Sequence, residues 1–241
     1  MVKHDIVYVL KQGVRPDELR YSLRSVCKNF KYNTIWFYGG CPKGIVPDHY
    51  VNFKQTGRNK WERARSTFRA ICENDEITPQ FYLFNDDFYI MKPYDQETAR
   101  VNGTIDMQIR RICNKHNGGT SYTTRLRVSE RALIEEDIDT ISYETHTPML
   151  IDREKGLELL DVFNINATFR SAYGNYFQVG GVILHDSKIV DVDEEPDKSI
   201  EILSSSDNSF KNGKIGQYIR NKFRAKCKYE IEPGVKDNAP G

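Results

Sequence analysis

The chain has 241 residues, of which 39% are hydrophobic and 29% charged, and its net charge is +1. That length suits one large domain or two small ones with a sizeable core, and so balanced a charge gives no bulk drive toward nucleic acid or an anionic membrane. No apolar run approaches the roughly 20 residues that span a bilayer, and the opening Met1-Val-Lys-His-Asp5 lacks the apolar stretch of a secretion signal. Five scattered cysteines without a CxxC pair support neither a zinc ribbon nor a redox motif, so buried, reduced thiols in a cytoplasmic protein are expected.

In chain order, Asp5–Leu10 is a short apolar run bounded by polar residues, the pattern of a buried parallel strand. Residues 11–16, with Gly13 and Pro16, read as a loop. Asp17 then caps a helix with Leu19, Leu23, Val26 and Phe30 at helical spacing. Residues 34–38 form a second strand, ended by Gly39 and Gly40. Strand, loop, helix and strand compose a βαβ unit. Nucleotides bind at the carboxyl end of such strands, which makes Lys11 and Gln12 candidate contacts. Arg20 and Arg24 share one side of the helix, where they reach either phosphates or only solvent. Neither GxGxxG nor GxxxxGK(S/T) occurs, so no Rossmann dinucleotide fingerprint and no P-loop is present.

A short third strand is expected over 51–54, then a polar loop and a helix over 61–74. This helix and its approach carry Lys60, Arg63, Arg65 and Arg69 beside Ala64, Phe68, Ala70 and Ile71. Lys60 and Arg65 suit diphosphate oxygens, and the same pattern suits an amphipathic helix with a charged outer face. Residues 81–90 then make an aromatic and apolar run interrupted by Asn85, Asp86 and Asp87. Two ionised aspartates inside such a run repel each other and lose hydration. A divalent cation at the mouth of a sheet resolves that conflict, with hard oxygen ligands suiting Mg²⁺ or Mn²⁺. A polar strand-to-strand turn is the other reading of the same residues.

Residues 95–145 carry Gly118-Gly119 among many charges and read as an exposed, mobile insertion or acceptor-side region, with His116 a surface histidine. His146 lies two residues before Pro148, hence in extended or turn backbone, where it can serve as base, ligand, phosphate contact or structural residue. A helix is expected over 152–162. Arg170 sits among aromatic and small residues and needs an anion, either a phosphate or Asp186. Residues 182–186 have strand character and carry near their end His185, a candidate metal ligand with Asp86 and Asp87. An acidic loop over 191–197, a strand over 200–203, a polar segment over 204–209 and a basic helix over 216–223 follow. The tail from 233 to 241 should fray, and no linker divides the chain.

Taken in order, Asp5-Ile-Val-Tyr8 with residues 18–25, Asn85-Asp86-Asp87, His146-Thr-Pro148, Phe169-Arg170-Ser171 and residues 223–230 resemble the blocks of the Stealth family of sugar-phosphate transferases. As a whole the chain is similar to small phage-encoded glycosyltransferases that carry these blocks in compact form, and the resemblance spans about residues 5–230. It implies an α/β, GT-A-like fold with a mixed, mainly parallel sheet flanked by helices in a single domain, a nucleotide-sugar donor and a divalent metal (Mn²⁺ or Mg²⁺). It also implies that Asp86 and Asp87 serve the metal and diphosphate, while His146 and Arg170 face the reacting phosphate or the acceptor. The expected catalytic residues are therefore His146, Arg170 and Asp87, and the expected metal ligands are Asp86, Asp87 and His185. Expected around the donor are Lys11, Gln12, Arg20, Arg24, Lys60, Arg65, Asn85 and Asp86.

One departure is Gln12-Gly13, where Stealth members carry an acidic residue before the glycine; it weakens the phosphotransfer reading. The expected activity is metal-dependent transfer of a sugar to a hydroxyl of a macromolecular acceptor, protein or glycan. By analogy with the phage enzymes, that acceptor is a virion component met in the host cytoplasm. Transfer of sugar-1-phosphate and a non-catalytic binding module are the alternatives.

Overall fold

β1 (Asp5–Leu10) is buried along almost its whole length and pairs in parallel with β2 (Ile35–Gly39) on one side and β4 (Gln80–Phe84) on the other. The structure is a computed structural model that describes residues 3–94, 98–163, 168–184 and 187–231. β3 (His49–Val51) extends the sheet beyond β2, and β7 (Met149–Asp152) closes the other edge antiparallel to β4, giving the order β3-β2-β1-β4-β7.

Alternation along the strands sorts the side chains to two faces. Ile6, Tyr8, Leu10, Phe37 and Phe84 pack against Leu19, Leu23 and Val26 of α1 (Pro16–Asn29). Val7, Trp36, Tyr38, Phe81 and Leu83 face α2 (Lys60–Glu73), α5 (Arg153–Val162) and α6 (Phe169–Tyr176), with Phe68, Leu159 and Ala172 among their neighbours. Cover on both faces is why these strands read as unbroken apolar runs.

The apolar run over 81–90 is two strands rather than one. β4 stops at Phe84, and β5 (Phe88–Ile90) begins after Asn85-Asp86-Asp87 in a different sheet, ordered β5-β10-β9 with β9 (Lys188–Ile189) and β10 (Ile202–Ser205). Under this second sheet, α7 (Asp207–Asn212) and α8 (Lys214–Lys222) bury Phe210, Ile215 and Ile219 against Tyr89 and Leu203. The free edge of β5 is satisfied by α1: Ser22 Oγ donates to Phe88 O (2.6 Å), Ile90 N donates to Ser25 Oγ (2.9 Å), and Asn29 Nδ2 donates to Ile90 O (2.6 Å).

Several sequence expectations need correction. Asp17 lies in the first turn of α1, whose cap position is Arg15, because Pro16 already starts the helix. The third strand runs over His49–Val51, earlier than 51–54. Residues 95–145 hold two helices, α3 (Ile105–Lys115) and α4 (Ser121–Glu135), beyond the short β6 (Arg100–Val101), which pairs with β8 (Val182–Ile183). Thr120 ends the Gly118-Gly119 stretch with a capping box to Thr123, which gives α4 a defined start. Ser206 does the same for α7 inside the polar segment over 204–209. His185, Asp186 and the tail over 233–241 lie outside the described residues.

The result is an α/β fold in a single domain, with a mixed, mostly parallel central sheet flanked by helices in a Rossmann-like, GT-A-like arrangement. No helix among the described residues is long and apolar enough to cross a membrane.

Arg20 and Arg24 both engage Glu230, whose side chain is only 4% exposed. Arg24 pairs with it through two bonds, Nε to Oε1 at 2.6 Å and Nη2 to Oε2 at 2.7 Å, and also donates to Phe223 O at 3.0 Å. These arginines fasten the C-terminal segment to α1. Glu230→Ala is expected to cost about 3 kcal/mol in urea unfolding, because it strands a buried guanidinium. Replacing Arg24 and Glu230 together with methionine is expected to cost less than that single change.

Candidate active site

The order β3-β2-β1-β4 reverses direction between β1 and β4, so the carboxyl ends of these two strands flank a topological switch point. The loop from Lys11 to Val14 leaves one of them and Asn85-Asp86-Asp87 leaves the other. Phe88 N donates to Asn85 O at 3.4 Å across this turn. Phe84 and Phe88 on either side are fully buried, which keeps the carboxylates partly inside the protein.

The two aspartates face different neighbours. Asp86 lines a cleft of about 210 Å³ with Lys11, Glu18, Asp207 and Lys211. Burial, and then the charge of Asp87, push its carboxyl up to about 6, against the opposing pull of Lys11. Glu18, from the first turn of α1, is pushed up to about 7 by burial, with the Asp207, Asp86 and Asp87 charges adding to it. The hydrogen bond from Ser205 Oγ to Glu18 Oε1 (3.0 Å) only partly offsets this.

Asp87 turns the other way. Its Oδ2 accepts from Lys188 Nζ at 2.8 Å, while its Oδ1 is buried without a hydrogen-bond partner among the described residues. Arg170 lies close enough for the Asp87 charge to act on it, and donates to Thr147 O (2.7 Å) and Leu83 O (3.3 Å). Its guanidinium also sits 5.5 Å from the centre of the Phe88 ring. Burial lowers the Arg170 pKa, and the Glu144 and Asp87 charges oppose that. His146 has φ +49°, the left-handed region that few residues other than glycine adopt. Its carbonyl accepts from Ser187 Oγ at 3.0 Å. His146, Glu144 and Lys188 share the wall of a 590 Å³ cavity.

The remaining expected contacts are placed as follows. Asn85 lines a second cavity, of 290 Å³, together with Arg65 and Arg170. Arg65 donates to Leu160 O (2.5 Å) and Phe163 O (3.1 Å), so it satisfies the end of α5. Lys60 stacks on the Trp61 ring at 4.5 Å. Gln12 donates to Gly39 O (3.0 Å) and Asn52 Oδ1 (3.3 Å), tying the β1 loop to the ends of β2 and β3. Neither Arg20 nor Arg24 lines the cleft that holds Asp86, since Glu230 holds both.

The structure therefore brings Lys11, Asp86, Asp87 and Arg170 to one neighbourhood, and adds Glu18, Lys188, Glu144 and Asp207. Among the described residues no group of three or more His, Cys, Asp or Glu side chains is arranged to hold a metal ion. The donors on offer are the unpartnered Oδ1 of Asp87 and the neighbouring carboxylate of Asp86. That set fits Mg²⁺-type binding, in which one or two carboxylates are completed by substrate phosphates and water. The chain matches no protein-family model and no curated protein.

The raised Glu18 pKa has a consequence for stability. Its ordinary value is 4.5, so below that pH folded and unfolded chains are both protonated and the fold carries no penalty. As pH rises from 4.5 to about 7 the unfolded chain ionises while the folded protein keeps the proton, so stability is lost, and the loss is complete once the folded protein holds a partly buried charge above about 7. With chelator present, Glu18→Gln is expected to match the parent near pH 4 and to exceed it by about 1–2 kcal/mol near pH 8, after allowance for solvent screening. Denaturant titrations at the two pH values check this.

Proposed function

We propose that the chain is a metal-dependent glycosyltransferase that moves a sugar from a nucleotide-diphosphate donor to an acceptor hydroxyl. The observation that carries this reading is the buried, unpartnered Oδ1 of Asp87 beside Asp86 at the switch point of an α/β sheet. The resemblance of the ordered blocks to phage-encoded transferases supports it and makes the acceptor a protein or glycan, with a phage virion component as the analogue.

In this reading Asp86 and Asp87 hold the divalent ion, which when bound supplies positive charge to the leaving diphosphate. Lys188 fixes the orientation of the Asp87 carboxylate through Oδ2 and leaves Oδ1 for the site. Lys11, at the end of β1, offers the diphosphate a cation from the opposite wall of the cleft. Arg170, tied by two carbonyls, is a preorganised positive charge that needs no rearrangement during reaction. His146, on the wall of the adjacent cavity, takes the proton of the acceptor hydroxyl or orients its phosphate.

A second reading, transfer of sugar-1-phosphate, is favoured by the two cations that flank Asp87, since Lys188 and Arg170 suit the spread charge of a transferring phosphoryl group. A panel of nucleotide sugars incubated with Mn²⁺, Mg²⁺ or chelator separates the readings by the released nucleotide. UDP or GDP released only with metal is the expected result. UMP or GMP would favour phosphotransfer, and absence of metal-dependent donor binding would leave only a binding module. Asp86→Asn and Asp87→Asn are each expected to lower the metal-dependent rate about a hundredfold or more.

A further inference from the structure

Arg125, on α4, is only 8% exposed, yet among the described residues it has no anionic partner. Its Nε is buried without a hydrogen-bond partner, and among the described residues its guanidinium makes no side-chain hydrogen bond or ion pair. Its contact is with the face of Trp61, 4.2 Å from the ring centre, and Trp61 stacks in turn on Tyr122 at 6.2 Å. Burial lowers its pKa, and no carboxylate acts against that shift.

Arg100 and Arg153 share a buried Nε without a hydrogen-bond partner, but the rest of their guanidinium groups is held, as are those of Arg65 and Arg170. Arg100 pairs with Glu201 at 2.9 Å, Arg153 donates to Ile77 O at 3.1 Å, and Arg65 and Arg170 donate to carbonyls. Arg125 opens instead on the 290 Å³ cavity, whose wall also carries Trp61, Leu160 and Phe169. Among the described residues the one carboxylate on that wall, Glu144, accepts from Ser171 N (3.2 Å) and Ser171 Oγ (3.1 Å), and its charge acts on Arg170. An unpaired buried guanidinium costs several kcal/mol, and an anion brought from outside removes that cost.

We propose that this cavity is an oxyanion-binding site, in which Arg125 takes the phosphate or carboxylate of a ligand whose ring or apolar part lies against Trp61, Leu160 and Phe169. Guanidinium suits both oxyanions because its fork of donors matches two oxygens at once. The mixed wall selects an organic anion over a bare inorganic one, since aromatic and aliphatic surface is buried with it. The site stands whether or not the Asp86–Asp87 turn transfers a sugar.

Thermal unfolding with phenyl phosphate, benzoate or inorganic phosphate, at constant ionic strength and with chelator, tests this on the full chain beside Arg125→Leu. Phenyl phosphate or benzoate is expected to raise the midpoint of the parent by about 2–4 °C at ten times its Kd, with no rise in Arg125→Leu. The relative size of the two shifts tells a phosphate ligand from a carboxylate one. Without anion, Arg125→Leu is expected to unfold no lower than the parent, whereas an arginine that only supports packing would leave it clearly weaker. Equal shifts in both proteins would mean a general anion effect and would overturn the site. Tryptophan emission gives a readout that needs no Arg125 variant: the two tryptophans are Trp36 and Trp61, and the expected change on adding phenyl phosphate should vanish in Trp61→Phe. No response of the parent in either measurement, or a change that persists in Trp61→Phe, would equally overturn it.

Discussion

The passage of one segment between two sheets constrains everything around it. Phe84 ends the central sheet and Phe88 opens the second, both fully buried, with only Asn85, Asp86 and Asp87 between them. Drawing either carboxylate out to solvent would unpack an aromatic ring, at a cost of about 3–5 kcal/mol by comparison with ring truncation. The carboxylates therefore stay inside, and the surroundings distribute their charge: Asp87 to Lys188, Asp86 toward Lys11. The second sheet is held in register with α1 by Ser22, Ser25 and Asn29, which bond the free edge of β5. A helix that would otherwise pack through leucines alone thereby fixes the far side of the turn.

Asp5 shows what a purely structural aspartate looks like in this protein. At the amino end of β1 its oxygens accept from Asn33 Nδ2 (2.9 Å), Thr34 Oγ1 (2.8 Å), Thr78 N (2.9 Å) and Trp36 Nε1 (3.2 Å). Burial would raise its pKa, and these donors outweigh burial and hold it below the ordinary value. At the opposite end of the same sheet Asp86 has burial and a like charge but too few donors, and its pKa moves the other way. The residue type is the same in the two cases. The supply of donors separates them: one end of the sheet is closed by hydrogen bonds, the other is left to be completed.

Much of the scaffold was legible because its signals are local. Buried parallel strands read as unbroken apolar runs, and Asn85-Asp86-Asp87 stood out as charge inside such a run. The partners of that turn were not legible. Glu18 lies in the first turn of a helix, Lys188 in a two-residue strand and Asp207 behind a serine-rich segment, all places where charge usually means surface. Arg20 and Arg24 had the pattern of phosphate or solvent contacts, and only the return of the chain at Glu230 claims them. Gly118-Gly119 suggested mobility, while the capping box at Thr120 two residues on marked a helix start.

Trp61 and Glu144 line both the 290 Å³ and the 590 Å³ cavities, so the two share a wall. Asp87 meets Lys188, which belongs to the larger cavity, and acts on Arg170, which belongs to the smaller. The acidic turn thus lies where charge on either side is felt. Two of the side-chain atoms that are buried without a hydrogen-bond partner among the described residues, Asp87 Oδ1 and Arg125 Nε, lie near this wall, and His146 beside it holds a left-handed backbone. Each is a cost of order 1–3 kcal/mol that folding alone does not require. Arg125 in the smaller cavity offers a place for an anion, while Asp87, already paired with Lys188 through Oδ2, keeps one oxygen for a cation, so the two positions suit ligand groups of opposite sign.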